Sequence, residues 1–109
     1  MPELGVKKRD IRKHEPPDIF RAAINNDAYE LAQAIGEGQS LLSRELKYDR
    51  TPLHVAAQNG CVDFIRAAVT YEEVDPWALD ANKYTAYDLA ARRSERDIQR
   101  LLFEIMYPR

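Results

Sequence analysis

Apolar residues recur along the chain in short clusters separated by polar breaks. Ile19, Phe20, Ala22 and Ala23 form one cluster, and Leu31, Ala34 and Ile35 the next. Leu53, Ala56 and Ala57 are followed by Phe64, Ile65, Ala68 and Val69. Ala90 and Ala91 are followed by Ile98, Leu101, Leu102, Ile105 and Met106. Within each cluster the steps of three and four residues put the apolar side chains on one face of a helix. The predicted helices are short, and an isolated helix below about 12–15 residues is marginal in water. Each therefore has to bury its apolar face on a neighbour.

Residues 51–60, Thr-Pro-Leu-His-Val-Ala-Ala-Gln-Asn-Gly, carry their own start and stop signals. Thr51 is an N-cap residue whose side-chain oxygen can accept from a free backbone N–H of the first turn. Pro52 follows at the first helical position, where its missing N–H is harmless and its fixed φ suits the helix. Gly60 supplies the left-handed residue that ends many helices. In the first predicted pair Asp18 is the cap, Asn26-Asp27 the turn between helices, and Gly36-Glu37-Gly38 the break after the second helix. Pro108 closes the last helix.

The clusters repeat. Ala22-Ala23, Ala56-Ala57 and Ala90-Ala91 are 34 residues apart, as are Thr51 and Thr85. Ile35, Val69 and Phe103 keep the same spacing near the ends of the second helices. An unrelated small helical bundle would not need this common register.

Thr51-Pro52-Leu53-His54, followed by Ala56, resembles the signature of the ankyrin repeat. Thr85-Ala86-Tyr87-Asp88-Leu89-Ala90-Ala91 resembles a common variant, with Asp88 in place of His54 and Ser94 in place of Gly60. The period is one residue longer than the usual 33 of that family, an excess assigned to the loops before Thr51 and Thr85. The resemblance implies an all-α solenoid of three helix-turn-helix units joined by short hairpin-like loops. Its expected bounds are an N-terminal tail over residues 1–16 and a repeat domain over 17–109, with repeats at about 17–46, 47–80 and 81–109. Such stacks carry polar outer faces on their end units. Glu30 and Gln33 stand where the middle unit has Phe64 and Ala67, and Gln99 stands where it has Ile65. On that reading the chain is a complete three-unit stack.

Composition narrows the function classes. The 45% hydrophobic and 31% charged residues are ordinary for one small globular domain. A net charge of −2 gives no general attraction to nucleic acid. A single cysteine, Cys61, excludes an internal disulfide, and no apolar run approaches the length of a membrane span. The N-terminus lacks the apolar segment of a secretory signal. The expectation is a soluble, cytoplasmic protein, monomeric when free, although a secreted effector with another export signal would look the same. The tail has a basic run over residues 7–13, with Lys7, Lys8, Arg9, Arg12 and Lys13, which gives an alternative function: binding to nucleic acid or an anionic membrane surface, a weak polyanion contact.

No catalytic or metal-binding constellation is visible, so no cofactor is expected. The two histidines are His14, in the tail, and His54, which the resemblance gives a structural role beside Thr51. His54 and Cys61 lack metal-ligand spacing, and Cys61 has no recognisable base. The 36–38 stretch lacks the lysine and third glycine of a phosphate loop. Glu72, Glu73 and Asp75 cluster in a loop without being paired as acid and base. Function is therefore expected to lie in a surface that binds another protein.

The resemblance places that surface on the loop tips and on the exposed, concave side of the first helices. Carried over by position, the tips are Tyr48, Asp49 and Arg50, then Asn82, Lys83 and Tyr84. The first-helix positions are Val55, Gln58 and Asn59, then Leu89, Arg92 and Arg93. The first unit offers Arg21, Asn25 and Asn26. Tyrosine and arginine are enriched at interface hot spots, which puts Tyr48, Arg50, Tyr84 and Arg92 first. Asn82 is expected to take the positive φ that the second tip needs. Trp77, the single tryptophan, is read as wedged against the third unit.

Overall fold

Asp18 starts the first helix by accepting from the backbone N–H groups of Phe20 (2.8 Å) and Arg21 (3.1 Å). The computed structural model describes residues 15–109. Helix α1 spans Ile19–Asn25, α2 Ala28–Gly36, α3 Pro52–Gln58, α4 Val62–Ala68, α5 Ala86–Arg92 and α6 Arg96–Met106. All regular structure among the described residues is helical. The basic run over residues 7–13 and His14 lie outside the described residues. Glu15 and Pro16, expected to belong to the tail, are held by the Arg21 guanidinium at 3.1 and 2.8 Å.

The helices form three antiparallel pairs stacked in two rows. α1, α3 and α5 pack side by side, and α2, α4 and α6 form the second row. This is the all-α stack of helix-turn-helix units that the register predicts. Ala22, Ala23, Ala56, Ala57 and Ala90 are all but inaccessible to solvent. Their small side chains let neighbouring helices approach closely. Phe64, Leu31, Leu53, Ile65, Ile98 and Leu102 fill the space between the rows. Ala91 is exposed although its counterparts Ala23 and Ala57 are buried. By register it lies on the side of α5 that faces away from α3.

The punctuation repeats with the helices. Asn26 (φ 56°), Gly60 (φ 70°) and Ser94 (φ 59°) end the three first helices in the left-handed conformation, each 34 residues from the next. Thr51 and Thr85 both form capping boxes, Thr51 with His54 and Thr85 with Asp88. The second helices differ in how they begin. Cys61 precedes α4 without giving it a side-chain cap. Asn26 of the preceding unit does this instead, its Oδ1 accepting from Phe64 N at 2.8 Å while its Nδ2 donates to Asp63.

Two expectations fail at the ends of the stack. Glu30 is not part of a polar outer face. It is buried, accepts from Asp18 N (3.0 Å) and pairs with Arg21, whose Nε donates at 2.7 Å. A carboxylate inside a fold persists only with such partners. Trp77 is not wedged: it remains half exposed and meets the third unit edge-on at Tyr107, ring centroids 5.3 Å apart. Phe103 also packs against Tyr107, ring centroids 4.9 Å apart. Asp75 fixes the Trp77 backbone by accepting from its N–H.

Candidate functional site

Two hairpins project from the loops before α3 and α5. In the first, Glu45 N donates to Arg50 O, and in the second Asp80 N donates to Tyr84 O, each at 2.9 Å. The first hairpin is therefore one residue longer. Positive φ falls on Asp49 (56°) and on Lys83 (69°), the same register position in both. Lys83, not Asn82, takes the left-handed conformation expected of the second tip. The reason is Asp80, whose Oδ1 accepts from both Asn82 N and Tyr84 N at 2.9 Å. That pair of bonds fixes Asn82 and leaves the reversal to Lys83.

The hairpins touch. Ala81 N donates to Tyr48 O at 2.9 Å, and Arg44 donates to Leu79 O as well as to Asp49. Asp80 is buried, with Oδ2 at 3.8 Å from Arg50 Nε. The Arg50 guanidinium also lies 4.7 Å from the Tyr48 ring centroid, with Lys47 Nζ 5.1 Å from the same ring. In the second hairpin Arg92 reaches out of α5 to Tyr84, 5.0 Å from the ring centroid and 3.1 Å from the hydroxyl. Each tip thus presents a tyrosine held by an arginine, a pairing that stiffens both side chains.

Most of the expected surface residues are accessible. Tyr48, Asp49, Asn59, Asn82, Lys83, Arg92 and Arg93 are exposed; Arg50, Val55, Gln58 and Tyr84 are half-buried. Leu89 is a correction. It is buried in the core among the three units, so it packs and cannot meet a partner. An aliphatic side chain on a short helix gains more from burial than from exposure. In the first unit Arg21 is committed to Glu30, Glu15 and Pro16, and Asn26 to α4, which removes both from the free surface. Sequence reasoning missed Ile24, which is exposed and stands in register with Gln58 and Arg92. The 34-residue spacing was the signal that would have found it. It also missed the buried Asp80, for which an Asp two residues before Asn82 in a turn was the local signal.

His54 is structural in detail. Its Nδ1 accepts from Thr51 N (3.1 Å) and faces the Thr51 hydroxyl at 2.8 Å. Its Nε2 lies 2.9 Å from Tyr84 O. A carbonyl can only accept, so Nε2 carries the proton. Burial lowers the pKa of the ring, partly offset by the bond to the Tyr84 carbonyl. Cys61 is a buried free thiol near Ile24 O, and burial raises its pKa, the opposite of an activated nucleophile. Glu73 is not an idle loop carboxylate: it accepts from Leu41 N at 2.8 Å and ties the second unit to the first. Among the described residues, no cluster of three or more His, Cys, Asp or Glu side chains could hold a metal ion. Among the described residues, no helix is long and apolar enough to cross a membrane.

Comparison with known proteins agrees with this architecture. The human espin-like protein is 41% identical to the chain over 58 residues. That alignment covers 53% of this chain and only 6% of the relative, so the likeness concerns a small part of a much longer protein. Residues 19–107 match the family model for ankyrin repeats in three copies. With all six of the described helices inside that match, the chain belongs to the ankyrin-repeat family.

Proposed function

We propose that the protein is a non-enzymatic binding module. It would act as an adaptor, an inhibitor or a subunit of a complex, and hold another protein against its first-helix row and hairpin tips. The family is one whose members generally bind other proteins, but a fold alone does not place the site. The observation that supports this placement is the pair of arginine-braced tyrosines on adjacent hairpins, Arg50 on Tyr48 and Arg92 on Tyr84. Such side chains have already lost much of their rotamer freedom, so less entropy is lost on binding. The cytoplasm is the compartment that suits this reading and the free, buried Cys61.

The test begins with a partner captured by affinity purification and identified by mass spectrometry. Tyr84→Ala and Arg92→Ala are each expected to weaken its binding by about 1–3 kcal/mol, as hot-spot truncations do. Thermal unfolding should stay nearly unchanged in Arg92→Ala, whose side chain is exposed, and fall modestly in Tyr84→Ala, whose half-buried ring packs against the core. Unaltered affinity in both variants would remove the tips from the binding site.

A further inference from the structure

The first-helix row is not uniform along the stack. Ile24, Gln58 and Arg92 occupy one register position in the three units, and Asn25, Asn59 and Arg93 the next. Ile24 is 59% exposed, so the first unit presents an open apolar side chain. The middle unit presents neutral amides. The third presents two exposed arginines, with Lys83 exposed on the adjoining hairpin.

The positive charge at that end is not neutralised from within. Among the described residues, Lys83 and Arg93 have no ion-pair partner. Four carboxylates of the hairpins and α5 are occupied, and the Glu95 carboxylate lies against Gly60 without an ion pair to Arg93. Asp88 accepts from Thr85 N, Asp80 is buried against its own hairpin, Asp49 pairs with Arg44, and Glu45 accepts from Tyr48 N. On the opposite row Arg66 and Arg100 sit beside Asp63 and Asp97 one turn away, and Arg96 is the one exposed arginine there without an ion pair among the described residues. A chain of net charge −2 therefore groups three exposed cations, Lys83, Arg92 and Arg93, at one end of one face.

We infer that this face accepts an extended acidic segment of another protein, its carboxylates at Lys83, Arg92 and Arg93 and an apolar side chain at Ile24. This rests on the binding-module reading above and adds the chemistry and direction of the bound segment. Adjacent helices lie roughly 8–10 Å apart, so Ile24 and Arg92 are separated by about 20 Å. About six extended residues bridge that distance. Arginine suits carboxylates because its planar donors can engage both oxygens. A nucleic acid fits less well. Bases need free aromatic faces to stack on, whereas the Tyr48 and Tyr84 rings carry Arg50 and Arg92.

The probe is a labelled synthetic peptide of about twelve residues, with two leucines at one end, four glutamates at the other, and serine and glutamine between. Matched controls replace the glutamates by glutamine or by lysine. Anisotropy at low salt gives affinity and amide shifts give location. The expected result is binding of the Glu peptide alone, with shifts at Gln58, Asn59, Lys83, Arg92 and Arg93. Reversal by R92E/R93E should weaken it about tenfold or more, and Ile24→Ser severalfold, whereas R66E on the opposite row should leave it unchanged. Circular dichroism and urea midpoints establish that the variants remain folded.

Equal binding of the Glu and Gln peptides, or an equal loss with R66E, overturns the acidic segment. So does tighter binding of single-stranded RNA or phosphatidylserine vesicles at the same arginines, and so does the absence of any peptide shift. Preference for the Gln or Lys peptide on the same residues overturns the charge assignment and leaves the binding-module reading standing. Peptide shifts confined to α2, α4 and α6 overturn both.

Discussion

The second and third units open with the same device and use it differently. Thr51 and Thr85 cap α3 and α5 in the same way, and in both the third helical residue returns a bond to the cap backbone. In the second unit that residue is His54, in the third Asp88. A neutral imidazole has one accepting and one donating nitrogen, whereas a carboxylate only accepts. His54 can therefore accept from Thr51 N and also donate to Tyr84 O, 30 residues away in the next unit. Asp88 serves only its own cap. The middle unit has a neighbour to hold on each side, and the chemistry of this one position follows from that.

The comparison is broken most severely by removing the two side chains. His54→Ala leaves Thr51 N unpaired in a buried site and opens a cavity, an expected loss of about 3 kcal/mol. Asp88→Ala removes half of one capping box at a half-buried position, an expected loss of about 1 kcal/mol. Urea midpoints at constant m-value measure both. Equal losses would mean that the bond from His54 to the third unit contributes nothing.

The pairs Gly60 and Ser94 sharpen the comparison with a smaller effect. Both are left-handed, but only Gly60 is free of a Cβ, and one built there would meet Glu95 Oε2 at 2.7 Å. Gly60→Ala is expected to destabilise by about 1 kcal/mol or slightly more. Ser94→Gly relieves the same backbone strain in the third unit and should stabilise by about 0.5 kcal/mol. Melting temperatures of the two variants should move in opposite directions.

The smallest expected effect is a pH dependence. His54 is buried as the neutral ring, and its pKa in the fold is lowered from the value of about 6.5 in an unfolded chain. Between those two values the unfolded state binds the proton and the native state does not, so stability rises with pH through that window. The contribution is fully present above about pH 6.5 and is lost as the pH falls toward the folded value. Protonating Nδ1 would also set a donor against Thr51 N–H. Comparing urea midpoints of the parent and His54→Ala at pH 8 and pH 5 isolates this residue. A parallel fall in the two proteins would exclude it as the source.

The sequence by itself determined the parts that depend on near neighbours. A cap needs a Thr and a partner three residues on, and a helix stop needs one residue that tolerates positive φ. Those signals, repeated every 34 residues, located the helix pairs and the hairpins, and with them most of the exposed tip residues. Tertiary structure decided whatever needed a partner outside the residue's own helix or turn, or depended on what the stack buries. Leu89 became core, Glu30 became a buried ion-pair member, and Asn26 became the cap of a helix in another unit. Lys83, not Asn82, took the reversal because Asp80 is held inside. The physical reason is the stack itself. Each unit's inner surface is completed by the next, and a residue's neighbours across that boundary are not written in its own segment.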